Sequence, residues 1–346
     1  MGMMTDEPLA STPATPTPVP PLVLLPEHAG APHFSLQHLS GVATLVLIFF
    51  ASAGITLAYL SSGGEIAAAD TQTASAVAVV DPFAGISLKA EGAYVYDLTT
   101  KRVLYSKNAE TQLPLASLVK VPLVLAVSEV LGSDSYITIP PHEVFDGTEK
   151  RLPTGLSFKA GDLIDFTLVA SSNEGAAVLS QAAEDGLRKK YPSATQGAAA
   201  LWRMNDIAQH LGLGHLVFRN THGLDQSATQ AGAYGSARDV AALFSYAAVH
   251  APALFEKTSR DSIEVRAATG ETVTAVNTDE ALPAIPGLIM GKTGSTALAG
   301  GNLAVVFEAG PAHPVVAVVL HSTYSGRFSD MKALVEATVA AMGAGL

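Results

Sequence analysis

Three short stretches of the chain carry reactive side chains at close spacing. In Ser117-Leu118-Val119-Lys120 a hydroxyl stands three residues ahead of an amine. Positions i and i+3 share one face of a helix, which puts the Lys120 amine within reach of the Ser117 hydroxyl. A serine hydroxyl is a weak nucleophile until a neighbouring base takes its proton. Lysine is such a base only where burial or nearby cations keep its amine neutral. At a helix start the Ser117 backbone N–H also faces where an oxyanion would form. Ser171-Ser172-Asn173 sets a hydroxyl and an amide two residues apart on a loop, Ser171 suited to relay a proton and Asn173 to hydrogen-bond a peptide. Lys292-Thr293-Gly294 offers positive charge to a carboxylate and a glycine beside which a substrate backbone can run as an added strand. Ser295 behind it supplies a second backbone N–H for an oxyanion. Each stretch alone has an ordinary explanation: a solvated helix face, a helix N-cap at Ser172 or Asn173, a lysine at a strand end. In this order, on helix, loop and strand, they describe acyl transfer through a serine ester.

The flanking sequence supplies elements that would hold them. Ala93 to Leu98 and Arg102 to Ser106 predict a hairpin. A helix is predicted from Ser117 to about Leu131, stopped by Gly132. The Ala- and Leu-rich region from about Gly161 to His250 has helical spacing, and Ser236-x-x-Asp239 resembles a capping box. Strands are predicted over Leu288–Ser295, Asn302–Glu308 and Val315–His321, then a helix from Ser329, its cap, to Met342. Strands, helices, strands and a helix imply an α/β (α+β) domain. Its mainly antiparallel sheet is built from both ends of the chain and flanked by helices, with a helical region inserted.

The chain has 346 residues, no cysteine and a net charge of −11. The missing cysteines exclude disulfides and thiolate chemistry, and the acidic balance argues against a nucleic-acid partner. All 20 basic residues lie from Lys89 onward, which sets the first 88 residues apart from the working domain. Residues 1–38 read as a Pro-rich disordered tail. Within 39–62, Gly41 to Leu60 is an apolar run long enough to cross a bilayer as a single helix. Residues 63–85 read as a flexible tether and 86–346 as the catalytic domain. Ala67-Ala68-Ala69 would suit a signal-peptide cleavage site, but the long tail without basic residues favours an uncleaved anchor. No metal or other cofactor is implied: the ten histidines show no metal-ligand spacing. His222 and His321 read as structural or solvated.

The trio Ser-x-x-Lys, Ser-x-Asn and Lys-Thr-Gly, in that order, is the signature of serine β-lactamases and penicillin-binding proteins. The chain resembles the low-molecular-mass penicillin-binding proteins, the D-alanyl-D-alanine carboxypeptidase family, across about residues 86–340. Besides the trio, the likeness rests on Tyr94-Val95-Tyr96-Asp97, Asn108-Ala109-Glu110, Phe218 to Asp225 and Ser236-Ala237-Arg238-Asp239. It implies a β-lactamase/transpeptidase-like fold and the following roles. Ser117 would be acylated, with Lys120 its base and Ser171 and Asn173 lining the cleft. Lys292, Thr293 and Gly294 would hold the substrate carboxylate and backbone, and the N–H groups of Ser117 and Ser295 would form the oxyanion hole. The implied partners are a peptidoglycan stem peptide ending in D-Ala-D-Ala, β-lactam antibiotics and, through residues 41–60, a lipid bilayer. The expected location is the cell membrane, single-pass, with the catalytic domain extracytoplasmic. Glu174-Gly175 departs from the commoner Asp-Ala, and Val119 from the commoner Thr. An endopeptidase of the same chemistry, a β-lactamase and a non-catalytic sensor are the alternatives. Against the β-lactamase, no Glu-x-x-Asn lies between Asn173 and Lys292.

Overall fold

Alternating Val, Ala and Leu in three nine-residue strands near the C-terminus dictate where the core lies. We describe the protein from a computed structural model; the structure describes residues 81–141 and 151–344. The expected tail, membrane anchor and tether up to residue 80 lie outside the described residues. Among the described residues no helix is long and apolar enough to cross a membrane.

The described chain opens with strand β1 (Gly92–Asp97), strand β2 (Arg102–Lys107) and the short β3 (Leu113–Pro114). A 3-10 turn (Ala116–Val119) leads into helix α1 (Lys120–Ser128). Strands β4 (Tyr136–Thr138) and β5 (Ser157–Lys159) pair with each other and precede helices α2 (Ala160–Val169), α3 (Asn173–Lys190) and α4 (Ala199–His210). Strands β6 (Val217–Phe218) and β7 (Ala233–Gly235) precede helix α5 (Ala237–His250). A hairpin of β8 (Ser262–Arg266) and β9 (Thr272–Val276) follows. Strands β10 (Leu288–Thr296), β11 (Gly300–Glu308) and β12 (Pro314–Ser322) and helix α6 (Gly326–Gly343) complete it.

The main sheet runs β10-β11-β12-β1-β2 and every pair in it is antiparallel, so strands from the two ends of the described chain meet at β12 and β1. Successive side chains on a strand point to opposite faces, and here both faces are covered. Val305, Phe307, Ala317 and Val319 pack with Met331 and Leu334 of α6. Their neighbours Ala304, Val306, Val316 and Val318 join the larger core of α1 to α5. A strand buried on both sides reads as a continuous apolar run, which is why β11 and β12 were plain in the sequence. Packing begins ahead of β1, where Phe83 stacks on Tyr105 with ring centroids 5.7 Å apart and Leu88 is buried.

Three predicted helix ends move. The helix expected to start at Ser117 begins as the 3-10 turn and becomes α-helical at Lys120, with Pro122 in the first turn, where its missing N–H costs nothing. It ends at Ser128, short of Leu131. The last helix starts at Gly326, ahead of the expected cap: Ser329 lies inside the first turn and its hydroxyl donates to Gly326 O, while Gly326 N–H is taken by Thr323 Oγ1. Ser236 does cap α5, accepting from Asp239 N–H. Asp239 does not return the bond; its carboxylate accepts His215 N–H instead.

Candidate active site

Ser117 sits where β3 turns into α1. β3 is tied to β7 and Leu115 N–H donates to Ala233 O, fixing the approach to the turn. Ala116 has φ +49, a left-handed conformation that is costly for a residue with a side chain. Two glycines let other segments close on its peptide. A Cβ at Gly223 would lie 2.1 Å from Ala116 O and 3.0 Å from Ser117 N. One at Gly294 would lie 2.7 Å from Leu115 O and 3.2 Å from Ser117 N. The Lys-Thr-Gly strand therefore runs directly beside the Ser117 peptide, and Ser295, next along β10, is exposed.

Lys120 is fully buried on the same turn. Its Nζ is 2.8 Å from Ser117 Oγ, 2.7 Å from Asn173 Oδ1 and 2.8 Å from His222 O. Burial first, then the Lys292 cation, pushes its pKa well below the ordinary lysine value. The partners dictate what a neutral amine does there. An amide oxygen and a backbone carbonyl only accept, so they take its two N–H bonds. Its lone pair is left for the one partner able to donate, the Ser117 hydroxyl.

The second motif is positioned by the junction of α2 and α3. Ser171 has φ +55, and Ser172 caps α3 by accepting Gly175 N–H at 3.0 Å. The ordinary explanation and the chemical one thus coexist: Ser172 caps while Ser171 and Asn173 turn to the cleft. Gly175 has its own cause, since a Cβ there would come within 2.3 Å of Thr167 Oγ1. Glu174 is buried, and its Oε2 accepts from Arg151 N–H and Leu152 N–H.

Lys292, read alone as a possible solvated strand end, is 2 % exposed. Its Nζ donates to Ser171 Oγ at 2.8 Å and to Thr293 O at 2.9 Å. Burial lowers its pKa to about 7, the Arg327 cation adds to that, and Asp279 opposes it. All three motifs thus meet at one cleft, with Ser171 bonded to Lys292 and Asn173 to Lys120.

Further residues line the cleft, among them His222, expected to be structural or solvated. The His222 ring, mostly buried beside Lys120, has its pKa pushed down to about 4, by burial first and by that lysine second. Asp225 accepts Thr296 Oγ1–H at 2.8 Å and Leu298 N–H at 3.0 Å, tying the 219–225 segment to the β10–β11 turn. Thr278 Oγ1 lies 2.5 Å from Thr293 Oγ1. Arg327, buried at the start of α6, donates from Nη1 to Gly294 O at 3.0 Å. The Phe218–Asp225 stretch did stand out in the sequence, but no local pattern marked Thr278 or Arg327.

Residues 75–323 match the family model described as D-alanyl-D-alanine carboxypeptidase. D-alanyl-D-alanine carboxypeptidase DacF of Bacillus subtilis is 27% identical over 221 residues, 60% of this chain and 51% of the relative. D-alanyl-D-alanine endopeptidase of Pseudomonas aeruginosa is 28% identical over 169 residues, 47% of this chain and 50% of the relative. The chain spans about half the length of these curated relatives. Among solved structures, penicillin-binding protein D2 of Listeria monocytogenes in its cefotaxime-bound form is 25% identical, with a TM-score of 0.62 over 73% of this chain and 98% of that one. The mixed α/β fold with its antiparallel sheet and flanking helices is thus transpeptidase-like.

Proposed function

Given that the chain belongs to the D-alanyl-D-alanine carboxypeptidase family, we propose that it removes the terminal D-Ala from peptidoglycan stem peptides through a covalent ester on Ser117. The observation that carries this reading is the environment of Lys120. It is a buried amine whose three partners include a single donor, the Ser117 hydroxyl. The Lys120 lone pair takes the hydroxyl proton as Ser117 Oγ attacks the carbonyl carbon of the penultimate D-Ala. The oxyanion is held by the backbone N–H groups of Ser117 and Ser295, donors of a kind whose individual removal costs ~10²–10³ in rate. As the tetrahedral carbon collapses, the C–N bond breaks and the departing amine takes back a proton. That proton is given back by Lys120, relayed through Ser171, which leaves Lys120 neutral again. Water then attacks the ester carbonyl, with Lys120 again accepting its proton, and Lys120 passes that proton to Ser117 Oγ as the ester C–O bond breaks. Lys292 supplies the cation for the terminal carboxylate, Asn173 an amide for the substrate backbone, and Thr293 and Gly294 the strand edge. A β-lactam carries the same pairing of reactive carbonyl and carboxylate and would acylate Ser117.

The expected outcome is that Ser117→Ala abolishes covalent labelling by a fluorescent penicillin while the protein stays folded by circular dichroism. Retained labelling would take Ser117 out of this role. The Pseudomonas relative's name motivates a second reading, cleavage of cross-links. Mass spectrometry after incubation with a pentapeptide muropeptide and a cross-linked dimer separates the two: loss of one alanine against splitting of the dimer.

A substrate outside the membrane and the apolar run 41–60 support a single-pass anchor with an external catalytic domain. Protease treatment of spheroplasts tests this. Digestion of the C-terminal domain is expected, and its protection would reverse the orientation.

A further inference from the structure

Asn302, the third residue of β11, has no exposed surface and takes no part in the reaction just described. Burying an amide is costly unless it is hydrogen-bonded, and here both ends are. Nδ2 donates to Pro114 O at 2.9 Å, and Oδ1 accepts His321 N–H at 2.8 Å. A carbonyl only accepts and a backbone N–H only donates, so these partners fix which way the amide points.

One of the two bonds has a local cause. β11 and β12 fall out of step between Gly301, which faces Ser322, and Leu303, which faces Val319. Asn302 there stands against two residues of β12, Leu320 and His321, and His321 is left-handed at φ +54. A bulge leaves its extra residue outside the ladder, and Asn302 Oδ1 takes the N–H so exposed. For that purpose an acceptor alone would serve. The bulge gives no reason for the Nδ2 bond, which leaves the sheet for another segment.

That segment carries the nucleophile, since Pro114 stands three residues ahead of Ser117. Asn302 pairs with Gly294 across β11 and β10, and residues directly opposite in an antiparallel pair share a face. Gly294 has no side chain, and the Leu115–Ser117 backbone occupies the space one would take. The glycine admits this stretch to the sheet, and the residue beside the glycine bonds it there. The backbone bonds of β3 and of Leu115 go instead to β7 and Ala233, outside the main sheet. Among the described residues, the bond from Asn302 Nδ2 to Pro114 O is the one hydrogen bond between residues 113–119 and strands β10 to β12.

We propose that Asn302 is a positioning residue for acylation, tying the turn that carries Ser117 to the strand pair that carries Ser295. The two N–H groups assigned to the oxyanion lie on different elements, the 3-10 turn and β10, and this tether keeps their spacing. Lys292, Thr293 and Asn173, which take up the ligand, lie on β10 and α3 and do not depend on it. Loss of the tether therefore acts on the step in which the oxyanion forms and spares initial binding.

The role in acylation rests on the proposed function; the tether does not, and the test separates them. Stopped-flow reaction of the full chain with a fluorescent penicillin resolves the acylation rate constant from the dissociation constant of the initial complex. Asn302→Ala is expected to lower the rate constant by ~10–10², the cost of displacing a reacting group by up to about 1 Å. The dissociation constant stays that of the parent, and labelling still goes to completion. Asn302→Ser is expected to behave alike, and the rates are read on it should the alanine variant not fold. His321→Ala removes the ring's 2.7 Å contact with Glu91 at the same bulge and leaves the bond to Pro114 in place. It is expected to acylate at the parent rate. A parent rate constant in the Asn302 variants, a weakened initial complex in place of a slowed step, or an equal loss in His321→Ala overturns the proposal. Without penicillin, amide hydrogen exchange over residues 113–119 is expected to quicken in the Asn302 variants, and unchanged exchange overturns the tether. If the unmodified protein captures no penicillin, the proposed function fails, while the exchange still decides the tether.

Discussion

A lysine with no exposed surface must find a counter-ion or give up its proton, and at Lys120 the neighbours are a hydroxyl, an amide oxygen and a backbone carbonyl. None carries a negative charge, so the neutral amine is favoured, and a second lysine nearby pushes the same way. Activity should then fall as pH drops through the depressed Lys120 pKa, because protonation occupies the lone pair that Ser117 needs. Lys120→Arg fixes a proton at this position at every accessible pH. It is expected to slow penicillin acylation by ~10²–10⁴, the usual worth of a positioned general base. Stopped-flow acylation across pH checks it; an arginine variant with the parent rate and profile would exclude Lys120 as base. Ser117, Lys120, Ser171, Asn173 and Lys292 were legible because chemistry selects their types and their spacing is short. His222 was not, because its contribution to Lys120 is a main-chain carbonyl, which every residue owns.

At the scale of elements, the cleft depends on places where side chains are missing. Gly223 has φ +87 and presses its bare Cα against the Ala116–Ser117 peptide. Gly223→Ala combines a disfavoured backbone angle, worth about 1–3 kcal/mol, with a methyl 2.1 Å from Ala116 O. We expect the variant to lose penicillin labelling and to melt at lower temperature; parent-like labelling would show that this turn tolerates displacement. The hairpin, the long strands and the cap at Ser236 were readable from alternation and capping residues. The ends of α1 and α6 were not. A 3-10 turn and a proline reset the first, and buried Arg327 and Asp330 hold the start of the last in place of a serine cap.

Over the whole molecule, a hydrogen bond between Asp97 and His313 crosses the seam between the two ends of the described chain. Asp97, at the end of β1, is buried and bonded by Thr99 N–H, Thr100 N–H, Thr100 Oγ1–H and the ring of His313 beside β12. Burial alone would raise its pKa, but the bonds from Thr100, His313 and Thr99 outweigh it and hold the carboxyl at about 2. A folded-state pKa below the unfolded value stabilises the fold above pH 4 or so and is lost as pH falls towards 2, a contribution of about 2 kcal/mol at neutral pH. Asp97→Asn is expected to lower stability at pH 7 and flatten its dependence over that acid range, as read by urea unfolding at several pH values. Equal slopes in parent and variant would refute the assignment. The architecture itself was legible from element order. The seam was not, because pairing between distant strands leaves no local mark.

The seam also bears on how the protein is made. Val95 pairs with Ala317, and the hairpin of β1 and β2 has no other partner strand in the main sheet. During synthesis these early strands must wait, unpaired on one edge, until β12 has left the ribosome. The Ser117 peptide likewise stays open until Gly294 arrives. A chain halted before β12 would carry Ser117 without the completed groove beside it. Capture of a fluorescent penicillin by nascent chains of graded length would therefore act as a clock for completed folding.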